Sequence, residues 1–259
     1  MAVPFIELRN VCKAYGEQVI FQHANLCIHA GETLTIMGSS GCGKSLCLKM
    51  IVGLERPDHG QILIDGQDLR GMDATELRML RQRIAFVFQR DALFDSMTVL
   101  DNVSYGLREH THMTDQEMRA RAIEYLTQVD LDVGILEQMP ANLSGGMRKR
   151  VALARSLALE PGVILYDEPM EGLDPQSITR VRNLIVKLQA REGVTTVLAT
   201  HHMKTAFAIS DRLALIHDHH FAHVGSPEFF LQHDAPEIIA FVRGPAGARQ
   251  TQARETPLP

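Results

Sequence analysis

No apolar run in the 259 residues approaches the roughly 18 that a bilayer-spanning helix needs, so membrane association has to come through a partner. Cysteine is sparse. Cys12, Cys27, Cys42 and Cys47 include no C-x-x-C spacing, and the first residues lack the basic start and long apolar stretch of a signal peptide. Both absences lead to the expectation of a reducing cytoplasm. Positive charge is not in excess either: a formal net charge of -5 repels phosphates except where basic residues cluster, which argues against a general nucleic-acid coat. Internal repeats are missing as well. With 45% hydrophobic and 22% charged residues, the chain has the composition of a folded body of one large or two small domains.

Short β-rich segments, Phe5 to Arg9, Val19 to Phe21 and Gln61 to Asp65, are broken by turn residues and predict a mostly antiparallel layer. Apolar runs of the buried type, Leu34 to Met37, Ile84 to Phe88, Val163 to Tyr166, Thr195 to Thr200 and Leu213 to Ile216, are each tied to a helical pattern. That alternation predicts an α/β fold with a parallel sheet covered on both faces. From about Asp91 to Met139 the pattern is helical. There Thr114-Asp115-Gln116-Glu117 forms a capping box, followed by Met118, Ala122, Leu126 and Val129 on one face. A helix from about Gln176 to Arg191 carries a core stripe of Ile178, Val181, Ile185 and Leu188. Ser226-Pro227 opens a short helix, and residues 241–259 read as a flexible or partner-contacting tail.

Between the Leu34 strand and the next helical segment stands Gly38-Ser39-Ser40-Gly41-Cys42-Gly43-Lys44-Ser45, followed by Leu46. In a G-x-x-x-x-G-K-S loop the glycines let backbone N–H groups turn inward around phosphate oxygens, and the following helix offers its positive end. Lys44 then reaches the β and γ phosphates and the Ser45 hydroxyl ligates Mg²⁺. Phosphoryl transfer also needs a carboxylate for the metal and a group for the attacking water. The run Val163-Ile164-Leu165-Tyr166-Asp167-Glu168 supplies both, with Asp167 for Mg²⁺ through water and Glu168 at the strand tip.

Leu143-Ser144-Gly145-Gly146-Met147 adds a second phosphate-binding element at a helix start. Together with the loop, Gln89, Asp167-Glu168-Pro169, Leu173-Asp174 and Thr200-His201, it resembles the ATP-binding subunit of ATP-binding-cassette (ABC) transporters, over roughly residues 5 to 240. The resemblance implies a P-loop NTPase fold with an antiparallel β subdomain. The ATPase domain spans 1–240, with a helical subdomain inserted at about 91–155. It implies a head-to-tail dimer around two ATPs. Tyr15 would stack on adenine, and Gly38, Ser39, Ser40, Gly41, Cys42, Gly43, Lys44, Ser45 and Leu46 would surround the phosphates. Ser144, Gly145 and Gly146 would contact the γ-phosphate from the opposite subunit. Glu168 would act as general base, His201 would orient the γ-phosphate and water, Gln89 would link Mg²⁺ and water to the helical insert, and Asp174 would connect the two sites. Phe94 and Met97 are expected to meet a helix of the membrane permease.

The stretch from Val103 to Thr111, the continuation Met147-Arg148-Lys149-Arg150, and Glu171-Gly172 look like the ATPases of the bacterial lipid-asymmetry (Mla) system. Many importer ATPases carry Gln in place of Met147 and Ser-Ala in place of Glu171-Gly172. Leu173, where Gln is expected in that group, is the general ABC choice. The likeness implies phospholipid transport between inner and outer membranes, with an MCE-domain lipid-binding protein and a STAS-domain subunit as further partners. It places the chain on the cytoplasmic face of the inner membrane. An amino-acid or other small-solute importer is the alternative reading.

Three other features have plain explanations. His217-Asp218-His219-His220 reads as the exposed turn between two strands rather than a metal site. Arg148-Lys149-Arg150 reads as a solvated or interface face rather than a nucleic-acid patch. Cys42 reads as a small filler that tolerates the loop.

Overall fold

A computed structural model describes residues 5–89, 92–190 and 193–242. Along the chain run β1 (Ile6–Tyr15), β2 (Gln18–Ile28), β3 (Thr33–Met37), α1 (Lys44–Ile51), β4 (His59–Ile64), β5 (Gln67–Asp68), α2 (Ala74–Gln82), β6 (Ile84–Val87) and α3 (Val99–His110). There follow α4 (Asp115–Gln128), α5 (Gly145–Leu157), β7 (Val163–Asp167), α6 (Pro175–Gln189), β8 (Thr195–Ala199), α7 (Met203–Ile209), β9 (Arg212–His217), β10 (His220–Gly225) and α8 (Pro227–Gln232). The chain divides into two compact units, one of residues 1–51, 55–70 and 198–259, the other of 52–54 and 71–197.

In the first unit an antiparallel sheet of order β2-β1-β4-β5 carries the expected β-rich segments. β1 and β2 are far longer than the sequence suggests because register shifts between Leu8 and Ala14 break the two-residue alternation that marks a strand. Asn10 and His23 take left-handed backbone there, with φ of 49° each. β3 pairs in parallel with β9, which turns back antiparallel into β10. All five β3 residues are buried, as befits a strand covered on both faces. Met37, Leu213 and Leu215 share a core with Ala206 of α7, Phe230 of α8 and Ile238. Residues 236–242 are helical. The tail beyond 242 lies outside the described residues.

In the second unit β6 and β7 run parallel, Ile84 opposite Val163 and Val87 opposite Tyr166. The helical stretch expected after residue 91 resolves into α3, α4 and α5, which pack on one another. Thr114 and Glu117 form the expected reciprocal cap on α4, and Met118, Ala122, Leu126 and Val129 are buried with Tyr125 beside them. On α6 the buried stripe is Val181, Leu184, Ile185 and Leu188; Ile178 is only half-buried. Two helical stretches are absent from the sequence reading: 236–242, whose Phe241 and Val242 pack on the core although the tail is expected to begin at 241, and α2, although its capping box is written in Asp73 and Glu76.

The basic triplet needs correction. Lys149 is buried and donates to the carbonyls of Phe88 and Gln89, Arg150 donates to those of Gly146, Val129 and Asp130, and Arg148 to that of Leu143. Adjacent positions on a helix face different directions, so three charges in a row reach three sets of backbone carbonyls rather than one solvated face.

Candidate functional site

In the first unit the buried strand β3 delivers the chain to Gly38, which opens the expected phosphate loop. A Cβ on Gly38 would lie 2.5 Å from Cys42 Sγ, and one on Gly43, whose φ is +107°, would lie 2.7 Å from Ile20 Cγ2. Neither position accepts a side chain. Cys42 Sγ sits in the space that Gly38 leaves, which matches its reading as a filler. Next to it the Cys47 thiol is pushed up to about 12, first by complete burial and then by Cys42. Lys44 at the start of α1 folds back over the loop, its buried ammonium donating to Gly38 O at 3.0 Å and Ser39 O at 3.1 Å. The result is a concave loop with a lysine and the positive end of a helix dipole at one place.

A cavity of about 340 Å³ adjoins this loop, lined by Val19, Ile20, Ser39, Cys42, Asp218 and His219 among others. The histidine-rich segment is therefore the expected turn, tight and left-handed at Asp218 and His219 with φ of 51° and 67°. It also borders the loop, which the sequence did not indicate. The N–H of Gln22 donates to His219 O at 2.8 Å and ties the turn to β2.

Tyr15 ends β1 with half its surface exposed and the Lys13 ammonium 5.2 Å from its ring centre. His201 is exposed just beyond β8, where the N–H of Thr200 donates to Ile36 O at 3.3 Å. His202 is committed to local structure, its N–H donating to Thr200 Oγ1 at 3.0 Å and its Nδ1 lying 2.9 Å from Thr205 Oγ1.

In the second unit β7 ends in Asp167 and is followed by Glu168, both buried. Glu168 has φ of +44°, a left-handed backbone that costs a residue with a side chain on the order of 1–2 kcal/mol. Ser144 caps α5 by accepting from Met147 N at 3.3 Å, so the Ser-Gly-Gly run does open a helix. A Cβ on Gly146 would meet Ser177 Oγ at 2.7 Å. Asp174 caps α6, accepting from the Ser177 hydroxyl at 2.6 Å and from the N–H groups of Gln176 and Ser177 at 3.0 Å each. The Ser177 hydroxyl above all holds the Asp174 carboxyl below its ordinary pKa. Gln89, exposed, donates through Nε2 to Glu171 Oε2. The pairing of Gln89 with Glu171 is one that sequence spacing could not reveal. Phe94 is exposed, its ring centre 4.7 Å from that of Tyr105 with the planes tilted by 46°, whereas Met97 is half-buried.

The first unit thus holds the loop, Tyr15 and His201; the second holds Gln89, the Ser144 to Gly146 turn, Asp167, Glu168 and Asp174. The glycine-built concavity and Lys44 fit phosphate groups. Ser45, Gln89 and Asp167 are oxygen donors of the kind Mg²⁺ takes. Among the described residues no three or more His, Cys, Asp or Glu side chains gather as a metal cage. Mg²⁺ requires none, because it is bound through one or two protein oxygens with substrate phosphates and waters.

Strand, glycine-built loop and lysine-led helix define a phosphate-loop nucleotide-binding protein of the α/β class. The ABC transporter family model matches residues 21–171, more than half of the chain, and the chain belongs to that family as one of its ATPase cassettes. The Fe(3+) ions import ATP-binding protein FbpC 1 of Rhizobium meliloti is 42% identical over 241 residues, 93% of this chain and 66% of that protein. The chain spans about two thirds of that relative's length. The intermembrane phospholipid transport system ATP-binding protein MlaF of Haemophilus influenzae is 37% identical over 239 residues, 92% of this chain and 90% of that protein. Among solved structures, the dimeric post-hydrolysis cassette MJ0796 bound to ADP and Pi superposes with a TM-score of 0.80 at 35% identity, covering 86% of this chain and 98% of that one.

Proposed function

We propose that the chain is the ATP-hydrolysing subunit of an ABC transporter for phospholipid, working as a dimer of two copies around two ATPs to drive a membrane permease. The observation that carries the ATPase part is the loop itself, with Lys44 drawn over the carbonyls of Gly38 and Ser39 at the head of α1. In this reading one cassette domain spans residues 1–240. Tyr15 stacks on adenine, residues Gly38 to Leu46 hold the phosphates, and Ser144, Gly145 and Gly146 complete the site of the opposite copy. Glu168 takes the proton of the attacking water, His201 orients it, and Asp174 links the two sites. Mg²⁺, with Ser45, Gln89 and Asp167 around it, supplies neutralisation of phosphate charge.

The phospholipid assignment is supported by Met147 and the Glu171-Gly172 pair, and by similarity to the intermembrane phospholipid protein of Haemophilus influenzae. In this reading the further partners are an MCE-domain lipid-binding protein and a STAS-domain subunit, at the cytoplasmic face of a bacterial inner membrane. Among the described residues no helix is long and apolar enough to cross a membrane, in keeping with attachment through the permease. Iron-import relatives at 39–42% identity favour a second reading, a small-solute importer. Purification of the chain with its membrane complex from native cells, followed by mass spectrometry, separates the two. An MCE-domain protein with a permease and a STAS-domain subunit supports lipid transport; a solute permease with a periplasmic binding protein replaces it while leaving the ATPase roles intact.

A further inference from the structure

Gln89 and Glu171 lie far apart in sequence, and the structure joins them through the Gln89 amide nitrogen and a Glu171 carboxylate oxygen. A carboxylate only accepts hydrogen bonds, so the pairing dictates which end of the amide meets it. The NH₂ group is turned to Glu171 and Oε1 is turned away. The backbone of Gln89 is held separately, by the buried Lys149 ammonium on its carbonyl at 2.5 Å. Glu171 is held in turn. Its N–H donates to Glu168 O at 3.1 Å, and Gly172 follows with φ of +72°, so the carboxylate stands on a tight turn directly after Glu168.

We propose that Glu171 is a positioning residue for Gln89, locking its side-chain amide in the one orientation that offers Oε1 rather than NH₂ to the reacting centre. This rests on the ATPase reading above, in which the oxygen of Gln89 serves Mg²⁺ and water. A glutamine amide presents nearly identical shapes when flipped by 180°, with donor and acceptor exchanged. A partner that can only accept removes that ambiguity by holding the NH₂ end. Glu171 is such a partner, and Ser or Ala at the same position would not be.

The discriminating variant is Glu171→Gln, which keeps shape while allowing the partner to donate as well as accept, so both amide orientations of Gln89 become possible. Glu171 is exposed, so the substitution opens no cavity and disturbs no buried side chain. Two readouts on the full chain are combined: the side-chain ¹⁵N–¹H₂ resonances of Gln89, assigned by their loss in Gln89→Ala, and steady-state ATP hydrolysis with the chain in its membrane complex. Wild type is expected to show one well-dispersed Gln89 amide pair. In Glu171→Gln the pair moves toward solvent-exposed positions, kcat falls on the order of tenfold, ATP affinity stays within about twofold, and the Mg²⁺ requirement rises. A Gln89 amide unmoved by Glu171→Gln, or a moved amide with unchanged kcat and Mg²⁺ requirement, overturns the role of Glu171 alone. Absence of ATP turnover in the wild-type complex overturns the ATPase reading, and the positioning role with it.

Discussion

Lys149, buried on α5, donates to the carbonyl of Phe88 at 3.3 Å and to that of Gln89 at 2.5 Å, so the helix that opens at Ser144 grips the backbone that carries Gln89. Lys149→Met keeps most of the aliphatic stem and removes the donor. Taking away one partner of a buried polar contact costs about 1–3 kcal/mol. The urea midpoint is expected to fall accordingly with the slope unchanged, and a midpoint equal to wild type would show that the contact holds nothing.

Glu168→Gln preserves volume and removes the carboxylate proposed as general base. The expected result is ATP binding retained, a dimer that accumulates with ATP bound, and turnover reduced by about 10²–10⁴-fold. Nucleotide binding and gel filtration with ATP measure the first two, and phosphate release the third. Unchanged turnover would strip Glu168 of its role.

Tyr15 offers a half-exposed ring at the end of β1. Stacking of a base on an aromatic ring is worth about 1–3 kcal/mol, so Tyr15→Ala is expected to weaken ATP binding about 5- to 150-fold while Tyr15→Phe stays near wild type. Equal losses in the two variants would point to the hydroxyl instead.

Glu237 in the helical stretch 236–242 lies 2.6 Å from His223 Nε2 on β10, and this hydrogen bond, first among the causes, holds its carboxyl below the ordinary value. A depressed carboxyl contributes stability that is fully present above its unfolded pKa and is lost as pH falls through the folded one. Hydrogen exchange in 236–242 is therefore expected to accelerate relative to the core of β3 below the ordinary glutamate range. Glu237→Gln should exchange faster at neutral pH and lose that acid-side change. Identical profiles for the two proteins would refute the clasp.

The phosphate loop, the Asp167-Glu168 strand end and the Ser144 cap were legible in the sequence because phosphate chemistry prescribes residue types at fixed local spacing. The α4 cap was legible for the same reason of locality. The ends of β1 and β2 were not, since bulges near Asn10 and His23 disrupt alternation without leaving a turn signature. Lys149 was misread because a charge run looks solvated until the carbonyls of Phe88 and Gln89, some 60 residues away, are placed against it. A still longer separation of 82 residues hid Glu171 behind Gln89. The missed α2 is different in kind: Asp73 and Glu76 spelled its start, and of its apolar residues only Leu80 is buried, so no core stripe marked it.

Glu168 has a further implication through its left-handed backbone. The residues best suited to that conformation are glycine, asparagine and aspartate, and glutamate is not among them. Backbone preference and the proton transfer proposed for Glu168 thus make different demands on this position. A glutamate held in that backbone is therefore not there for the backbone's convenience; in the proposed mechanism the reach of its carboxylate toward the attacking water is what offsets the strain.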